Sequence, residues 1–571
     1  MSPQLPPVAP AVTAELVAAL SPRLRKRLDS GIAKLADRPV AREGDVVRIA
    51  VDDDTDLELH APDGAVRAAD AVRCGCLLAP DCLHRAAAAS LAPVAEDAGS
   101  PAPQGGSEEE QPAEAAVPAE TATPEQRAAA RAVQLAASAV LEAGTDGAGA
   151  VLQAELLRAA HTARLAGLHR AAALAVSVVT ALRAARAADP AYRLDDLVDG
   201  LYDVLSVAHR LPSASGTELA ALRGTARQPY RPDGSLRLYG LFSEPVLAAS
   251  GYAGAVTWTA DAEGRLYQVS DVAPGGAGRA VGAADRAVRI GDTALTHREL
   301  ARAGLAVSGA TVSPTGRLGA GAGVRAVRAP GAGWHEDPVA RLWAEPVSEQ
   351  VSRALTGGHD LLFLDVTLTG RAAEAAGDCL LADYAGVSLR LTAAHDDPAL
   401  PHRDNLRLLS AARGTRLRVV ARLVAAPHPR AQLLAAEHPT GAGARLDIGL
   451  DRLQGADLPA APVAPARSAP VPDEAPVHLL RRRVHQTVSG GRAVLAVPGD
   501  TRADARRLGR SGLSTAADLL TGLCSAAADR GHDVFGRLRP ADADRFARAW
   551  LTAAHYTAEL DRALCLAAWA S

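Results

Sequence analysis

Arg73-Cys-Gly-Cys-Leu-Leu-Ala-Pro-Asp-Cys-Leu-His-Arg85 holds half of the chain's 6 cysteines, Cys74, Cys76 and Cys82, with His84 close behind. Three thiolates and an imidazole make a soft donor set that fills a tetrahedral zinc site and leaves no open position for a reacting water. Gly75, lacking a Cβ, lets the backbone curl so that both flanking sulfurs face one centre. Pro80 and Asp81 read as a helix start, with Asp81 as N-cap ahead of the alanine-rich run from Arg85 to Leu91. Cys82 and His84 then fall in the first turn, where the helix dipole favours a thiolate. The alternative for the same residues is three buried thiols and a surface histidine. Clustering of scarce cysteines beside a histidine favours the metal. Cys74, Cys76, Cys82 and His84 are therefore the expected ligands and Zn2+ the expected cofactor, in a structural role.

Ahead of the quartet, Asp45 to Val51 alternates as a strand, Asp52 to Asp56 turns, and Leu57 to Ala61 alternates again before Pro62-Asp63-Gly64. Residues 12 to 36 read as helix, broken at Ser21-Pro22, with Ser21 as N-cap and Arg23, Arg25, Lys26 and Arg27 in the turn that follows. The order CxC, CxH, alanine-rich helix resembles the SWIM zinc finger over about the first 90 residues. That resemblance implies a ββα module holding zinc, and DNA or protein as its partner. Two features depart from the family pattern: Leu77 to Asp81 is a short loop, and Leu83 stands where a basic residue is common. Bacterial proteins with such modules occur beside AAA-type ATPases and von Willebrand A proteins, so the resemblance implies a partner of one of those kinds.

The 571 residues allow about three to five domains. Hydrophobic content is 48% and charged content 22%, ordinary for a globular chain. Lys26 and Lys34 are the only lysines. Neither follows a GxxxxG run, which excludes a Walker-type phosphate loop. Cys379, Cys524 and Cys565 are scattered and suggest no disulfide framework. The first residues lack the basic-then-apolar pattern of a leader, and the apolar run Ala171 to Leu182 is too short to span a bilayer. The expectation is a cytoplasmic protein with no membrane partner. A net charge of −4 is not that of a general nucleic-acid binder.

The expected fold class is α+β multidomain: a small ββα zinc module, a helical bundle, a β-rich middle with an OB-like barrel, and a helical C-terminal domain. The zinc module takes residues 1–92. Residues 93–122 are an acidic Pro/Ala-rich linker, read as a disordered tether. A helical bundle occupies 123–210, opening on a capping box at Thr123 and Gln126. His161 and His169 lie on its helices without a second ligand at helical spacing. A β-rich domain follows over 211–357. Its aromatics Tyr230, Tyr239, Phe242, Tyr252, Trp258 and Tyr267 can stack bases, although core and cross-strand pairing is the commoner use. Residues 358–458 read as strands, a short helix, then two strands, the order of an OB-like barrel. Whether 211–458 holds one β domain or two stays open. The loop with His395, Asp396, Asp397, His402 and Asp404 could coordinate a divalent ion or be a polar surface loop. Residues 459–476 are a second linker. The C-terminal domain, 477–571, is helical and basic, with Asp500 and Ser514 as N-caps.

No GxSxG elbow, HExxH helix or phosphate loop is present. The leading reading is a non-enzymatic zinc-finger scaffold or adaptor with a protein partner. The alternative is a nucleic-acid-binding protein using the barrel and the arginines Arg481, Arg482, Arg483, Arg506, Arg507 and Arg510, which can neutralise phosphates.

Overall fold

The structure is a computed structural model. It describes residues 5–52, 55–95, 120–190, 192–225, 230–248, 252–291, 293–321, 323–374, 377–440, 443–459, 476–496, 499–531, 533–537, 539 and 541–570. Helix and antiparallel sheet are both present, and the chain divides into two compact units. One is Met1–Arg227 with Ala475–Thr557, the other Gln228–Glu474 with Ala558–Ser571. No helix among the described residues is long and apolar enough to cross a membrane. All six cysteines are free.

The first unit opens with α1 (Pro10–Ala19), α2 (Pro22–Arg25) and α3 (Leu28–Ala36). An antiparallel sheet follows in the order β1 (Val40–Glu43), β2 (Val46–Asp52), β3 (Thr55–His60), β4 (Val72–Cys74), and then α4 (Leu83–Leu91). Ser21 caps α2 by accepting from the Leu24 N–H. Val47 and Ile49 of β2 and Leu57 and Leu59 of β3 alternate inward to the core, as the period-2 pattern requires. The sheet has four strands where the pattern showed two, because β1 and β4 are too short to carry a period. Next come α5 (Pro124–Gly147), α6 (Ala150–Leu165), α7 (His169–Arg186), α8 (Leu194–Arg210) and α9 (Gly216–Arg223). The capping box at Thr123 and Gln126 forms as read.

The segment that carries Cys74, Cys76, Cys82 and His84 is not a tethered module. Ala150 and Ala154 of α6 lie in one core with Val12, Leu16, Leu28 and Ala86 to Ala89. Asp29 of α3 accepts from the Ala150 N–H at the start of α6 (3.1 Å) and pairs with Arg186 of α7 (3.0 Å). Arg183 of α7 donates to the Ala92 carbonyl at the end of α4 (2.6 Å). The ends of the expected linker are built in as well: the Val8 N–H donates to the Pro93 carbonyl and the Ala95 N–H to the Val8 carbonyl, and Ala122 is in the helical core. Residues 96–119 lie outside the described residues.

The second unit begins with β5 (Arg231–Leu247), β6 (Tyr252–Ala260), β7 (Leu266–Pro274), α10 (Gly276–Val281), α11 (His297–Leu300), β8 (Gly304–Val312) and β9 (Arg325–Ala329). It continues through α12 (Val347–Leu355), β10 (Leu361–Glu374), β11 (Gly377–Tyr384), β12 (Val387–Ala393), α13 (His402–Leu409), β13 (Arg416–Leu423), β14 (Arg430–Glu437) and β15 (Arg445–Asp447). The two sheets run β7-β6-β5-β8-β9 and β12-β11-β10-β13-β14-β15. Both therefore place their strands in the order third, second, first, fourth, fifth, with helix between the third and fourth. In the second sheet β12 also pairs β14 in parallel, Arg390 with Arg430 through Ala393 with Leu433. In the first, residues 316–318 do the same duty: Gln268 of β7 bridges Arg317 in parallel while Val312 of β8 bridges Leu318 antiparallel. Pro232-Asp233-Gly234 is an irregular stretch inside β5, where the register to β8 shifts. The strands begin at Arg231 and not at residue 211, because α9 puts Leu219 and Leu222 into the core of the first unit.

Three of the six aromatics that could have stacked bases are buried in the interior of this unit, and Tyr230 is exposed. Phe242 is 0% and Trp258 6% exposed, their rings stacked 6.3 Å apart, and Tyr267 is 3% exposed. Trp334, Phe363, Val420 and Leu434 complete that cluster. Arg445 of β15 donates to the carbonyls of Gly240, Ala301 and Ala332 and lies over the Trp334 ring. Burial pulls its pKa down to about 10. Arg422 of β13 pairs with Glu244 of β5 (2.9 Å), which also accepts from the Trp258 indole.

The last helices, α14 (His478–Ala496), α15 (Thr501–Arg510), α16 (Ser514–Ala528) and α17 (Ala543–Trp569), do not form a domain of their own. Leu480, Val484, Leu520, Phe546 and Trp550 share the core of α5 to α8, while Ala558–Ser571 belongs to the second unit. Asp500 caps α15 as read, but α16 is capped from Leu513 and Ser514 is its first residue. α5 and α14 cross at two glycines in the left-handed region, Gly144 (φ 69°) and Gly491 (φ 69°). A Cβ on Gly144 would lie 2.3 Å from the Gly491 nitrogen, and one on Gly491 2.4 Å from the Glu142 carbonyl oxygen. Beside the crossing, Arg492 is 1% exposed, pairs with Glu142 (2.7 Å), donates to the Asp542 carbonyl and covers the Phe546 ring.

Gly491→Ala is expected to cost roughly 3 kcal/mol or more in denaturant unfolding, from backbone strain plus the clash. Gly167→Ala, at a φ of 76° with open space around it, should cost only about 1 kcal/mol. Equal losses would remove the close crossing as the cause. A pH dependence follows from three histidines of the second unit. Burial pulls His297, His359 and His402 each down to about 4. Their folded-state values lie below the unfolded one, so their stabilising contribution is whole above pH 6.5 and is lost as pH falls toward 4. For His297, 0% exposed, the loss is roughly 2–4 kcal/mol. Tryptophan fluorescence in urea, dominated by Trp258, Trp334, Trp343 and Trp569, should show it, and His297→Asn should flatten the slope.

Candidate metal centre

The four residues singled out in the sequence come together. One donor atom from each of Cys74, Cys76, Cys82 and His84 can be chosen so that all lie within 4.8 Å of one another. The Cys74 sulfur is 3.7 Å from His84 Nδ1. Donors around a tetrahedral ion with bonds of about 2.0–2.3 Å stand roughly 3.5–3.8 Å apart, so the quartet fits a metal ion with little adjustment. No other such group of histidine, cysteine or carboxylate donors occurs among the described residues.

Each ligand is held by an element of the first unit. Cys74 ends β4, in register with Leu57 of β3, and the Gly75 N–H donates to the Asp56 carbonyl (3.0 Å), which bends the chain toward Cys76. Cys82, not Asp81, is the N-cap of α4, and His84 is in the first turn. The Cys82 thiol lies against Cys74, and hydrogen bonding between the two pulls its pKa down. The Cys74 thiol, spent on that bond and half-buried, is pushed up. Leu83, where the SWIM pattern often has a base, packs in the core and meets Gly31 of α3.

Arg85, at the head of the alanine-rich run, points inward. It is 7% exposed and donates from Nε to the Val72 carbonyl, from Nη1 to Pro80 and from Nη2 to Ala69. One guanidinium thus ties β4, the segment before it and the ligand loop together. The surrounding run Ala86 to Ser90 is buried on every side, which is the signal that an arginine at its head points inward.

Between the ligands, Leu77 to Asp81 is exposed throughout. Leu77 is 104% and Leu78 63% exposed.

The other residues singled out do not assemble in this way. Arg481, Arg482 and Arg483 lie on α14 and Arg506, Arg507 and Arg510 on α15. Asp504 accepts from Arg482 (3.3 Å) and is 3.6 Å from Arg483, which is mostly buried. Arg481 and Arg482 line a cavity of about 350 Å³ with His478, His485, Gln486 and Ser489. His395 donates from Nε2 to the Leu247 carbonyl of β5 (3.3 Å) and accepts from the Asp397 N–H (3.1 Å), and His402 is buried on α13 beside Gly449, so among the described residues these side chains do not gather into a metal-holding group. A larger cavity of about 640 Å³ is lined by Arg298, Arg302 and Arg328. There Arg298 and Arg302 are paired with Asp285, Asp447 and Asp451, and burial pushes Asp447 up to about 6.

Comparison of the chain with protein-family models, with curated proteins and with solved structures gave no match.

Arg85→Met, which keeps the side chain's apolar bulk but none of its donors, should weaken metal binding about tenfold in competition with a chromogenic chelator. Arg73→Met, at an exposed neighbouring position, should leave it unchanged. An Arg85 variant with undiminished affinity would show that the tie does not position the ligands.

Proposed function

We propose that the chain is a non-enzymatic scaffold whose Cys74-Cys76-Cys82-His84 cluster holds a structural Zn2+, in the manner of a SWIM zinc finger, and docks a protein partner. Three thiolates and an imidazole suit zinc, and a fourth protein ligand leaves no vacancy for a substrate. The observation that carries the docking reading is the pair Leu77 and Leu78, displayed to solvent on the loop whose two ends are zinc ligands. Two adjacent exposed leucines are a cost to a monomer and a gain at a protein interface, where a few apolar anchors supply most of the affinity. The loop has no base of its own, Asp81 is its one charged residue, and a Cys3His zinc adds a negative unit. That balance disfavours nucleic acid at this face. By the same resemblance, the partner class is an AAA-type ATPase or a von Willebrand A protein.

The two sheets of the second unit are read as tandem OB-like barrels. The support is the shared strand order together with a parallel pairing of the third strand in each, with the fifth strand in one sheet and with residues 316–318, ahead of the fifth strand, in the other. OB-like barrels bind oligonucleotides as well as proteins, and this keeps nucleic acid as the second reading.

A chain carrying Leu77→Ser and Leu78→Ser should retain stoichiometric zinc by elemental analysis and lose roughly 30-fold or more in affinity for a co-purifying partner. Unchanged partner binding by that variant, or wild-type protein purified without zinc, overturns the proposal. A salt-dependent shift of single-stranded DNA, abolished by charge reversal at Arg481, Arg482 and Arg483, would establish the second reading instead.

A further inference from the structure

The chain contains 4 phenylalanines. Phe242, Phe363 and Phe546 are no more than 1% exposed, whereas Phe535 is 82% exposed and its neighbour Val534 90%. The two occupy the apex of a small hairpin between α16 and α17, in the first unit. The Asp533 N–H donates to the Arg537 carbonyl (2.8 Å), Gly536 N–H returns to the Asp533 carbonyl (3.0 Å), and Arg539 N–H donates to the Gly531 carbonyl (2.8 Å). The Asp533 carboxylate accepts from the N–H groups of Phe535 (2.9 Å) and Arg537 (2.8 Å). Gly536, at a φ of 75°, closes the turn. The apex is therefore a hydrogen-bonded structure that holds two apolar side chains in water, and not a loose end on which they fall by chance.

The arms of the hairpin are cationic. Arg530 is on one side and Arg537 and Arg539 on the other, all exposed. The nearby carboxylates are engaged elsewhere: Asp533 within the turn, Asp529 with Arg545, Asp544 with Arg131, and Asp542 as acceptor for the Arg545 N–H. Among the described residues none pairs with the three arginines.

We infer that this hairpin docks the protein on an anionic lipid surface, with Val534 and Phe535 entering the acyl boundary and Arg530, Arg537 and Arg539 meeting the phosphates. The argument is one of order along the projection. Apolar groups stand at the tip and cations behind them, which is the order of depth in a bilayer, hydrocarbon beneath a plane of negative charge. The tip is also convex, so a fluid surface can receive it without a matching cleft. Such contact is a surface attachment and needs no membrane-crossing helix. It is independent of the zinc site.

The test is co-sedimentation of the full chain with phosphatidylcholine vesicles, with and without phosphatidylglycerol. The expected result is binding to the anionic vesicles alone, falling as salt is raised. Phe535→Ser should weaken that binding about tenfold, and charge reversal at Arg537 and Arg539 should abolish it. The position is exposed, so these variants are expected to keep the wild-type circular dichroism. A Phe535→Trp chain should gain a blue-shifted emission on adding anionic vesicles. Absence of the chain from the anionic pellets overturns the inference, as does equal binding by wild type and Phe535→Ser. A tip that seats in a partner protein gives the first of these results.

Discussion

Two backbones without side chains between them set the arrangement of the first unit. Where α5 crosses α14, a Cβ on Gly144 would run into the backbone of Gly490 and Gly491 and one on Gly491 into that of Glu142 and Ala143, and both glycines have a backbone conformation that L side chains rarely adopt. The approach lets α14 reach into the core of α5 to α8. With it come Trp550 and Phe546 of α17, the Trp550 indole donating to the Val484 carbonyl. Arg492 can be buried there because Glu142 neutralises it and the Asp542 carbonyl takes a further N–H. The helical core is thus made from two stretches of chain separated in sequence by Gln228–Glu474 of the second unit.

On that core rests the surface that carries the metal centre. α6 and α7 hold the N-terminal segment through Asp29 and Arg183, so the sheet and α4 are a fixed platform and not a domain on a tether. The ligand loop has no core of its own to pack on. Its shape comes from sulfur ligands at both ends and from Arg85, which satisfies the Pro80 carbonyl from below. With a metal ion held by Cys76 and Cys82, the loop would display Leu77 and Leu78 at a low cost in lost motion, since little ordering would remain for the proposed docking.

The second unit solves a different problem, how to join two sheets of the same strand order in one body. Apolar faces meet in the cluster of Phe242, Trp334, Phe363 and Val420, and the polar seams are closed by arginines. Arg445 spans three carbonyls that would otherwise be buried without donors, and Arg422 shares Glu244 with the Trp258 indole. Arginine serves here because its planar fork reaches several acceptors at once and keeps its charge even when burial pulls its pKa to about 10. Lysine, almost absent from this chain, could not do the same.

The local features were legible in the residues alone. The ligand quartet, the capping box at Thr123, the cap at Asp500 and nearly all strands from Leu361 to Glu437 depend on neighbours in sequence, through donor chemistry, hydrogen-bond reach and a period of two. What could not be read depends on residues far apart. The role of Arg85 rests on carbonyls at Ala69, Val72 and Pro80, the seat of Leu83 on Gly31, and the burial of the strand aromatics on a second sheet more than a hundred residues on. The C-terminal arginines looked like a basic surface because sequence counts charges without their partners. Asp504 is near enough in sequence to have been suspected, but only folding put it against Arg482 and Arg483. Sequence by itself determined which side chains could bind a metal and roughly where the longer helices and strands lie, since these are short-range matters. Tertiary structure decided which segments share a core, because that depends on how closely two backbones can approach and on which buried charges find a counterpart.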